Sequence, residues 1–224
     1  MITVHHLENS RSQRVLWLLE ELGLEYHIQH YARDQKTLLA PEALTRVHPL
    51  GKSPVITDGA LTLAESGAIV TYLIHQYGPA SMQFEPGSAH WRDSCYWMHY
   101  AEGSVMPVML LNLVFNHMKT QPMPFFAKPI VGVISDKVNQ ALISPNYHRH
   151  MAFINAHLEH NEWFVADRLS GADFQMIFPL EAGEVRGGVS QRYPAIQAYM
   201  DRIHVRPAYV QALKRGGPYQ LMGG

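Results

Sequence analysis

The hydrophobic periodicity of this 224-residue chain changes near residue 88. Before that point, short apolar runs typical of strands are interleaved with helical segments. After it, apolar residues recur at helical spacing almost throughout, and no stretch alternates convincingly with a period of two residues. We therefore predict an α/β domain over residues 1–79, a linker over residues 80–88 and an all-α domain over residues 89–224.

The first domain has the predicted order βαβ, then a loop, then ββα. Asp58-Gly59 lies between two short apolar runs, which strongly indicates a β-hairpin, and Gly23 stands where a left-handed helix cap belongs. This order predicts a mixed sheet with packed helices. The predicted strands are 2–7, 26–31, 54–57 and 61–63, and the helices run from Ser12 to Leu22 and from Glu65-Ser66 to Gly78-Pro79. In the second domain we predict helices at 89–118, 124–142, 145–160, 171–186, 191–204 and 207–215, with a kink at Pro107.

The composition excludes several classes of protein. The single cysteine, Cys95, rules out an intrachain disulfide, and the net charge of -1 gives no electrostatic reason to expect nucleic acid or an anionic membrane as a partner. The N-terminus lacks the basic and apolar regions of a signal peptide, and the longest apolar run, 105–115, is too short to span a bilayer. We therefore expect a soluble, cytoplasmic protein. The 14 histidines are scattered along the chain, so we expect no metal site.

Asn9-Ser10-Arg11-Ser12 stands at the predicted turn from strand to helix. These residues are ordinary helix caps. Alternatively, a hydroxyl here donates a hydrogen bond to a thiolate above the helix N-terminus, whose dipole also favours an anion. The tetrapeptide alone favours capping.

Two further segments each allow a structural and a functional interpretation. Pro54 either marks the end of a loop or forms a cis bond with Ser53 that turns the Val55 backbone toward an extended peptide ligand. Ser66 and Glu65 either cap a helix or bind the carboxylate and the ammonium of an α-amino acid.

The order of these segments resembles the cytosolic glutathione transferases. The resemblance covers the whole chain and is strongest to the bacterial and fungal branch with a serine-type turn. It rests on the serine turn, Gly-x-Ser-Pro-Val-Ile at 51–56, the hairpin, Glu-Ser-x-Ala-Ile at 65–69 and Leu-Ser-Gly-Ala-Asp-Phe at 169–174. It implies a thioredoxin-like N-terminal domain and the glutathione transferase fold.

The resemblance also assigns roles. Ser10 would support the glutathione thiolate, with Asn9 and Ser12 as alternatives. Glu65 and Ser66 would hold the γ-glutamyl group, Val55 the cysteinyl backbone and Lys52 the glycine carboxylate, with Pro54 as the cis-proline. No tyrosine precedes Tyr26 and Cys95 lies in the helical half, so the tyrosine-type and cysteine-type mechanisms are excluded. Ser53 departs from the apolar residue common before this proline.

In the second half, Ser170 and Asp173 are predicted to bond reciprocally to each other's backbone N–H groups as a capping box, with Leu169 and Phe174 as a hydrophobic staple. We interpret this motif as structural.

As a glutathione transferase, the protein would use glutathione as co-substrate to attack a small apolar electrophile, or to reduce a peroxide, in detoxification. Met106, Leu110 and Tyr100 are candidates for the electrophile's wall, or equally for core or dimer contacts. The family also implies a homodimer. The alternative is a non-catalytic, transferase-like binding or scaffold protein.

Overall fold

The computed structural model describes residues 1–34, 37, 39–187, 189–217 and 219–220. Its first half contains a sheet of order β2-β1-β3-β4, in which β1 is parallel to β2 and antiparallel to β3. The prediction of a mixed sheet is therefore confirmed, as is the hairpin, because β3 and β4 pair antiparallel around Gly59. The strands are β1 (Ile2–Leu7), β2 (Tyr26–Tyr31), β3 (Val55–Asp58) and β4 (Leu61–Ala64).

Two helices pack on this sheet, α1 (Ser12–Glu21) and α2 (Ser66–Tyr77). Helix α1 is buried along most of its length, so its N-terminus is held rigidly. Gly23 follows it with φ +63° and donates its N–H to the Glu20 carbonyl at 3.1 Å. The predicted left-handed cap is present, because glycine reaches this region without the penalty that a Cβ imposes.

The second half is helical, as predicted. Its helices are α3 (Ala89–Tyr100), α4 (Met106–Thr120), α5 (Ala127–Val138), α6 (Ser144–Leu158), α7 (Gly171–Gly187), α8 (Val189–Arg192), α9 (Pro194–His204) and α10 (Pro207–Gly216). Among the described residues, no helix combines the length and apolar character that crossing a bilayer requires.

Two π-helical turns, Ala101–Val105 and Asn139–Ile143, join α3 to α4 and α5 to α6. The predicted break between residues 142 and 145 is therefore wrong, since the helix runs on through Pro145. A proline removes one backbone N–H and crowds the carbonyl one turn earlier. A wider π turn ends two residues before Pro107 and another two residues before Pro145, and each accommodates that change without ending the helix.

The two halves of the chain share one apolar core. Helix α7 lies at its centre and packs against α1, α2, α3 and α4. The ring of Phe174 on α7 lies 4.4 Å from that of Trp17 on α1, centroid to centroid. Helix α10 packs on α1 from the other side, where Tyr209 meets Trp17 edge-on. Helix α1 is thus fixed between the sheet and the helical half.

The cap of α7 differs in detail from the predicted box. Asp173 accepts from the Ser170 N–H at 2.8 Å, as predicted, but the Ser170 hydroxyl donates to the same carboxylate at 2.9 Å rather than accepting a backbone N–H. The Asp173 N–H pairs with the Ser170 carbonyl instead, as in a helical turn. The carboxylate also accepts from the Phe164 N–H and the Tyr199 hydroxyl, at 3.0 and 3.1 Å. A fully buried carboxylate needs these extra donors, so the motif anchors three segments of the helical half.

Candidate active site

A cavity of about 220 Å³ opens between the sheet and the helical half. It is smaller than the roughly 300–1,000 Å³ of pockets that enclose a drug-sized ligand, so a bound peptide would lie partly in solvent. The lining is mainly polar and comes from the start of α1, the loop before β3, the start of α2 and the first π turn. The lining residues are Arg11, His48, Leu50, Lys52, Ser53, Pro54, Ala64, Glu65, Ser66 and Glu102.

The start of α2 forms one wall of the cavity. Glu65 immediately precedes the helix with φ +70° and ψ +117°, a conformation that non-glycine residues rarely adopt and that costs about 1–3 kcal/mol. Ser66 follows as a nearly buried first residue, and its hydroxyl accepts from Arg14 at 3.4 Å. Free N–H groups at a helix N-terminus favour anions. This wall therefore offers donors for a carboxylate beside the acidic side chain of Glu65.

An ion pair between the two halves of the chain lies next to this wall, since Arg14 Nη1 donates to both Ser66 and Glu102. The Glu102 carboxylate accepts from Arg11 Nε at 2.9 and 3.0 Å and from Arg14 Nη1 at 2.8 Å. Arg14 is fully buried and also donates to Gln175. Burial lowers the pKa of Arg14, and the neighbouring Glu102 opposes that shift. Glu102 is thus the counter-charge of a buried guanidinium beside the cavity.

A pair of hydroxyl groups lies at the floor of the cavity. Ser53, which lines it, accepts from the Leu7 N–H at 3.2 Å and donates to the His5 carbonyl at 2.8 Å. Ser10 lies behind Ser53, only 6% exposed, with the two hydroxyl oxygens 3.5 Å apart. The peptide bond from Ser53 to Pro54 is cis. A group bound against Ser53 is therefore within short reach of the Ser10 hydroxyl.

Comparisons with known proteins agree with this architecture. Models described as the N-terminal and C-terminal domains of glutathione S-transferase match residues 1–75 and 139–207. The chain is 36% identical to glutathione S-transferase 3 of Schizosaccharomyces pombe over 209 residues, which are 93% of this chain and 85% of that protein. The chain belongs to the glutathione transferase family.

Two further relatives of this transferase-family protein are informative. A solved glutathione S-transferase from Actinobacillus pleuropneumoniae, 31% identical, has a TM-score of 0.78 and covers 100% of this chain and 97% of its own. The disulfide-bond oxidoreductase YfcG of Escherichia coli is 26% identical over 95% of this chain and 94% of its own length. The predicted fold, a thioredoxin-like domain followed by a helical domain, is therefore confirmed.

Within this transferase fold, the predicted site residues separate into two groups. Lys52, Pro54, Glu65 and Ser66 line the cavity. Val55 does not: its side chain is fully buried, and its backbone lies between His5 of β1 and Ala64 of β4. Val55 therefore lies outside the cavity lining, with a strand on each of its edges.

The remaining candidates lie around the cavity rather than in it. Ser10 and Ser12 are buried behind its floor, and the side chain of Asn9 accepts from the Gln220 N–H at 2.7 Å. Met106 is buried, Leu110 is 54% exposed, and the Tyr100 hydroxyl pairs with His150, so none of the three proposed wall residues lines the cavity. Across the described residues, no cluster of His, Cys, Asp or Glu could hold a metal ion.

Sequence reasoning missed six lining residues, of which four are polar: Arg11, His48, Ser53 and Glu102. For Ser53 a signal existed, since a serine replaces the apolar residue that the family commonly has before the proline. Glu102 is an acidic residue in an otherwise apolar helical stretch, which also singles it out. Its partners Arg11 and Arg14 lie about 90 positions away along the chain, so no local pattern links them.

Proposed function

We propose that this protein is a glutathione transferase that binds glutathione in the cavity and activates its thiolate for attack on a small apolar electrophile. The proposal rests on one observation: the start of α2, Ser53 and Lys52 line a single cavity, and the Ser10 hydroxyl lies 3.5 Å behind that of Ser53. Glutathione presents an α-amino acid at one end, a thiol in the middle and a carboxylate at the other end. The cavity offers a matching group for each.

The γ-glutamyl end would bind at α2. The Ser66 hydroxyl and the free N–H groups of the first turn suit its carboxylate, and the Glu65 carboxylate suits its ammonium. Glu102 nearby is already paired with two arginines, whereas Glu65 forms no ion pair among the described residues, so Glu65 is the acidic group left for the ammonium. Lys52 would hold the glycine carboxylate.

The cysteinyl backbone would pair with Ser53 rather than with Val55. Ser53 lines the cavity directly before Pro54, whereas Val55 lies inside the sheet. A peptide aligned along Ser53 carries its sulfur toward the Ser10 hydroxyl and the start of α1.

The available donors are strong enough to activate the thiol. A free thiol has a pKa near 8.5, so lowering it by about two units requires about 2.7 kcal/mol. A hydroxyl that donates to a charged acceptor contributes about 1.5–3 kcal/mol. The N-terminus of a helix such as α1 adds about 0.3–1 kcal/mol. Ser10 and α1 together account for the shift without a general base.

A redox reaction on the same site is the second candidate, favoured by the similarity to the Escherichia coli disulfide-bond oxidoreductase. In that reaction the same thiolate would attack a peroxide oxygen, and a second glutathione would resolve the product as glutathione disulfide. A non-catalytic scaffold role is not favoured, since a scaffold has no need of a cavity with this set of groups.

We also propose that the protein is a cytoplasmic homodimer. Exposed apolar residues on the packed helices α4 and α5 support the dimer, because exposed apolar side chains grouped on neighbouring helices often mark an interface. They include Leu110, Leu113, Val114, Ile130, Val133 and Ile134. Sedimentation equilibrium will give twice the chain mass if this is correct and the chain mass if it is not.

The test of the function is kinetic. The wild type should be retained on immobilised glutathione and conjugate it to a chlorinated nitrobenzene. Ser10→Ala should lower the conjugation rate by about ten-fold or more, the loss of one charge-assisted hydrogen bond. Binding without turnover on conjugation or peroxide substrates would refute the enzymatic role, and an unchanged rate in Ser10→Ala would refute the role of that residue.

A further inference from the structure

A chain of three buried side chains leads away from the cavity behind Ser10. The Ser10 and Ser12 hydroxyl oxygens are 2.7 Å apart, and Ser12 Oγ is 2.8 Å from Nδ1 of His6. The Ser12 N–H also donates to Ser10 Oγ at 3.2 Å. His6 is 3% exposed and Ser12 is fully buried, so bulk water does not compete for these bonds. Nothing in the proposed mechanism so far uses His6.

The direction of this chain decides whether Ser10 can act. Ser10 has a single hydroxyl proton, and if Ser12 accepts it, none is left for a sulfur. When Ser12 donates to Ser10, the Ser10 proton is kept from Ser12, and its other recorded acceptor is the more distant Ser53 hydroxyl at 3.5 Å. Apart from Ser10, the described partners of Ser12 Oγ are His6 Nδ1 and the Leu7 carbonyl, which can accept the Ser12 proton at 3.3 Å, farther than Ser10 at 2.7 Å. A bare His6 Nδ1 would draw the Ser12 proton to itself, so only a proton on Nδ1 leaves Ser12 able to donate to Ser10.

We propose that His6 is a positioning residue: its Nδ1–H donates to Ser12, Ser12 donates to Ser10, and the Ser10 proton is left for the glutathione sulfur. This inference rests on the proposed role of Ser10. Each bond in such a chain polarises the next, so that Ser10 becomes a stronger donor than an isolated serine.

The surroundings of His6 keep the ring neutral. Burial, with a smaller contribution from His30 on β2, lowers the pKa of His6 to about 4, against opposing effects of the Gly216 backbone and Glu8. A neutral ring carries one proton, on Nδ1 or on Nε2. The Gly216 backbone on α10 is the competitor for that proton, and a proton drawn to it would leave Nδ1 as an acceptor and reverse the chain.

The test is the thiol pKa of bound glutathione, read from the ultraviolet absorbance of the thiolate as pH is varied. His6→Leu should raise that pKa by about one unit, which corresponds to about a ten-fold loss of kcat/KM below the pKa with little change in the KM for glutathione. His6→Asn should restore most of the loss, because its amide can donate to Ser12. His27→Leu, an exposed histidine on β2, is the matched control and should change neither quantity.

A second variant covers the case in which His6→Leu does not fold. Ser12→Ala removes the middle hydroxyl and should raise the thiol pKa by a similar amount. Combining it with His6→Asn should add nothing further, since both act through one chain. Nitrogen-15 shifts of His6 should show the proton on Nδ1 in the glutathione complex.

A proton found on Nε2, or an unchanged or lower thiol pKa in both His6→Leu and Ser12→Ala, would overturn the inference. Ser10→Ala, measured in the same series, separates this from failure of the proposed function. If Ser10→Ala loses activity while the His6 and Ser12 variants keep the wild-type thiol pKa, the function stands and the role of His6 falls. If Ser10→Ala is fully active, the proposed role of Ser10 and the proposed role of His6 are both refuted.

Discussion

The ion pair between the two halves of the chain leads to a stability prediction that does not depend on the function. Glu102→Gln keeps the size of the side chain and one acceptor oxygen but removes the counter-charge of Arg14. The Arg14 side chain is fully buried, and its Nε and Nη2 atoms have no hydrogen-bond partner among the described residues. Its charge is therefore compensated mainly by Glu102.

The magnitude follows from this burial. Removing one partner of a buried ion pair typically costs about 3–5 kcal/mol. The Glu102 side chain is 31% exposed, so water partly replaces it, and glutamine keeps an acceptor. We therefore expect Glu102→Gln to lower the free energy of unfolding by about 2 kcal/mol, with little dependence on salt because Arg14 is shielded from solvent.

Urea denaturation at pH 7 measures this loss. Asp136→Asn is the matched control, since Asp136 pairs with Lys119 but is 60% exposed; such surface pairs contribute about 0–1 kcal/mol. In an Arg14→Met background, Glu102→Gln should lower the free energy of unfolding by much less than in the wild type, because the buried guanidinium is gone. If Glu102→Gln lowers the free energy of unfolding by no more than Asp136→Asn does, Glu102 does not stabilise the buried charge of Arg14 and the reasoning is wrong.

Three further predictions concern single residues. Asp173→Ala removes an acceptor shared by four donors and should lower the free energy of unfolding by about 3 kcal/mol in urea; a loss below about 1 kcal/mol would show that water replaces the carboxylate. Glu65→Ala should raise the KM for glutathione more than it lowers kcat, because an ammonium loses its counter-charge; a normal KM in steady-state kinetics would remove Glu65 from the site. Because the pKa of His6 is lowered to about 4, the unfolded chain binds its proton first as pH falls, so from pH 7 to pH 5 this group should remove about 2 kcal/mol of stability. The drop should be smaller by about this amount in His6→Asn, because the lowered pKa values of His5, His150 and His157 act in both proteins, and an equal drop in both would contradict the depressed pKa of His6.

The strands and the first helices of this fold were predictable because their signals are local. The bounds predicted for the strands at 2–7 and 26–31 agree with the structure, since alternation and a glycine cap act within a few residues. The continuity of α5 and α6 was not predictable, because it depends on a π turn that absorbs Pro145. Nothing in the residue types around 142 distinguishes such a turn from a helix end.

The site was predictable only in part. Lys52, Pro54, Glu65 and Ser66 belong to short motifs, and all four line the cavity. Val55 lies outside the cavity lining, because the sequence shows that a strand begins there but not that strands lie on both sides of it.

Contacts between distant segments were beyond sequence reasoning. Arg14 reads as one polar residue in a helix, and only the fold brings it against Glu102. His6 is likewise recognisable from the sequence only as a strand residue, and only the fold places Ser12 of α1 in contact with it.

The central claim is that the cavity binds glutathione as an extended tripeptide with its sulfur beside Ser10. Isothermal titration of the wild-type protein with glutathione tests it most directly. We predict a saturable heat with one tripeptide bound per chain, weakened in Glu65→Ala. The absence of binding heat at millimolar glutathione, or equal binding by wild type and Glu65→Ala, would contradict the account.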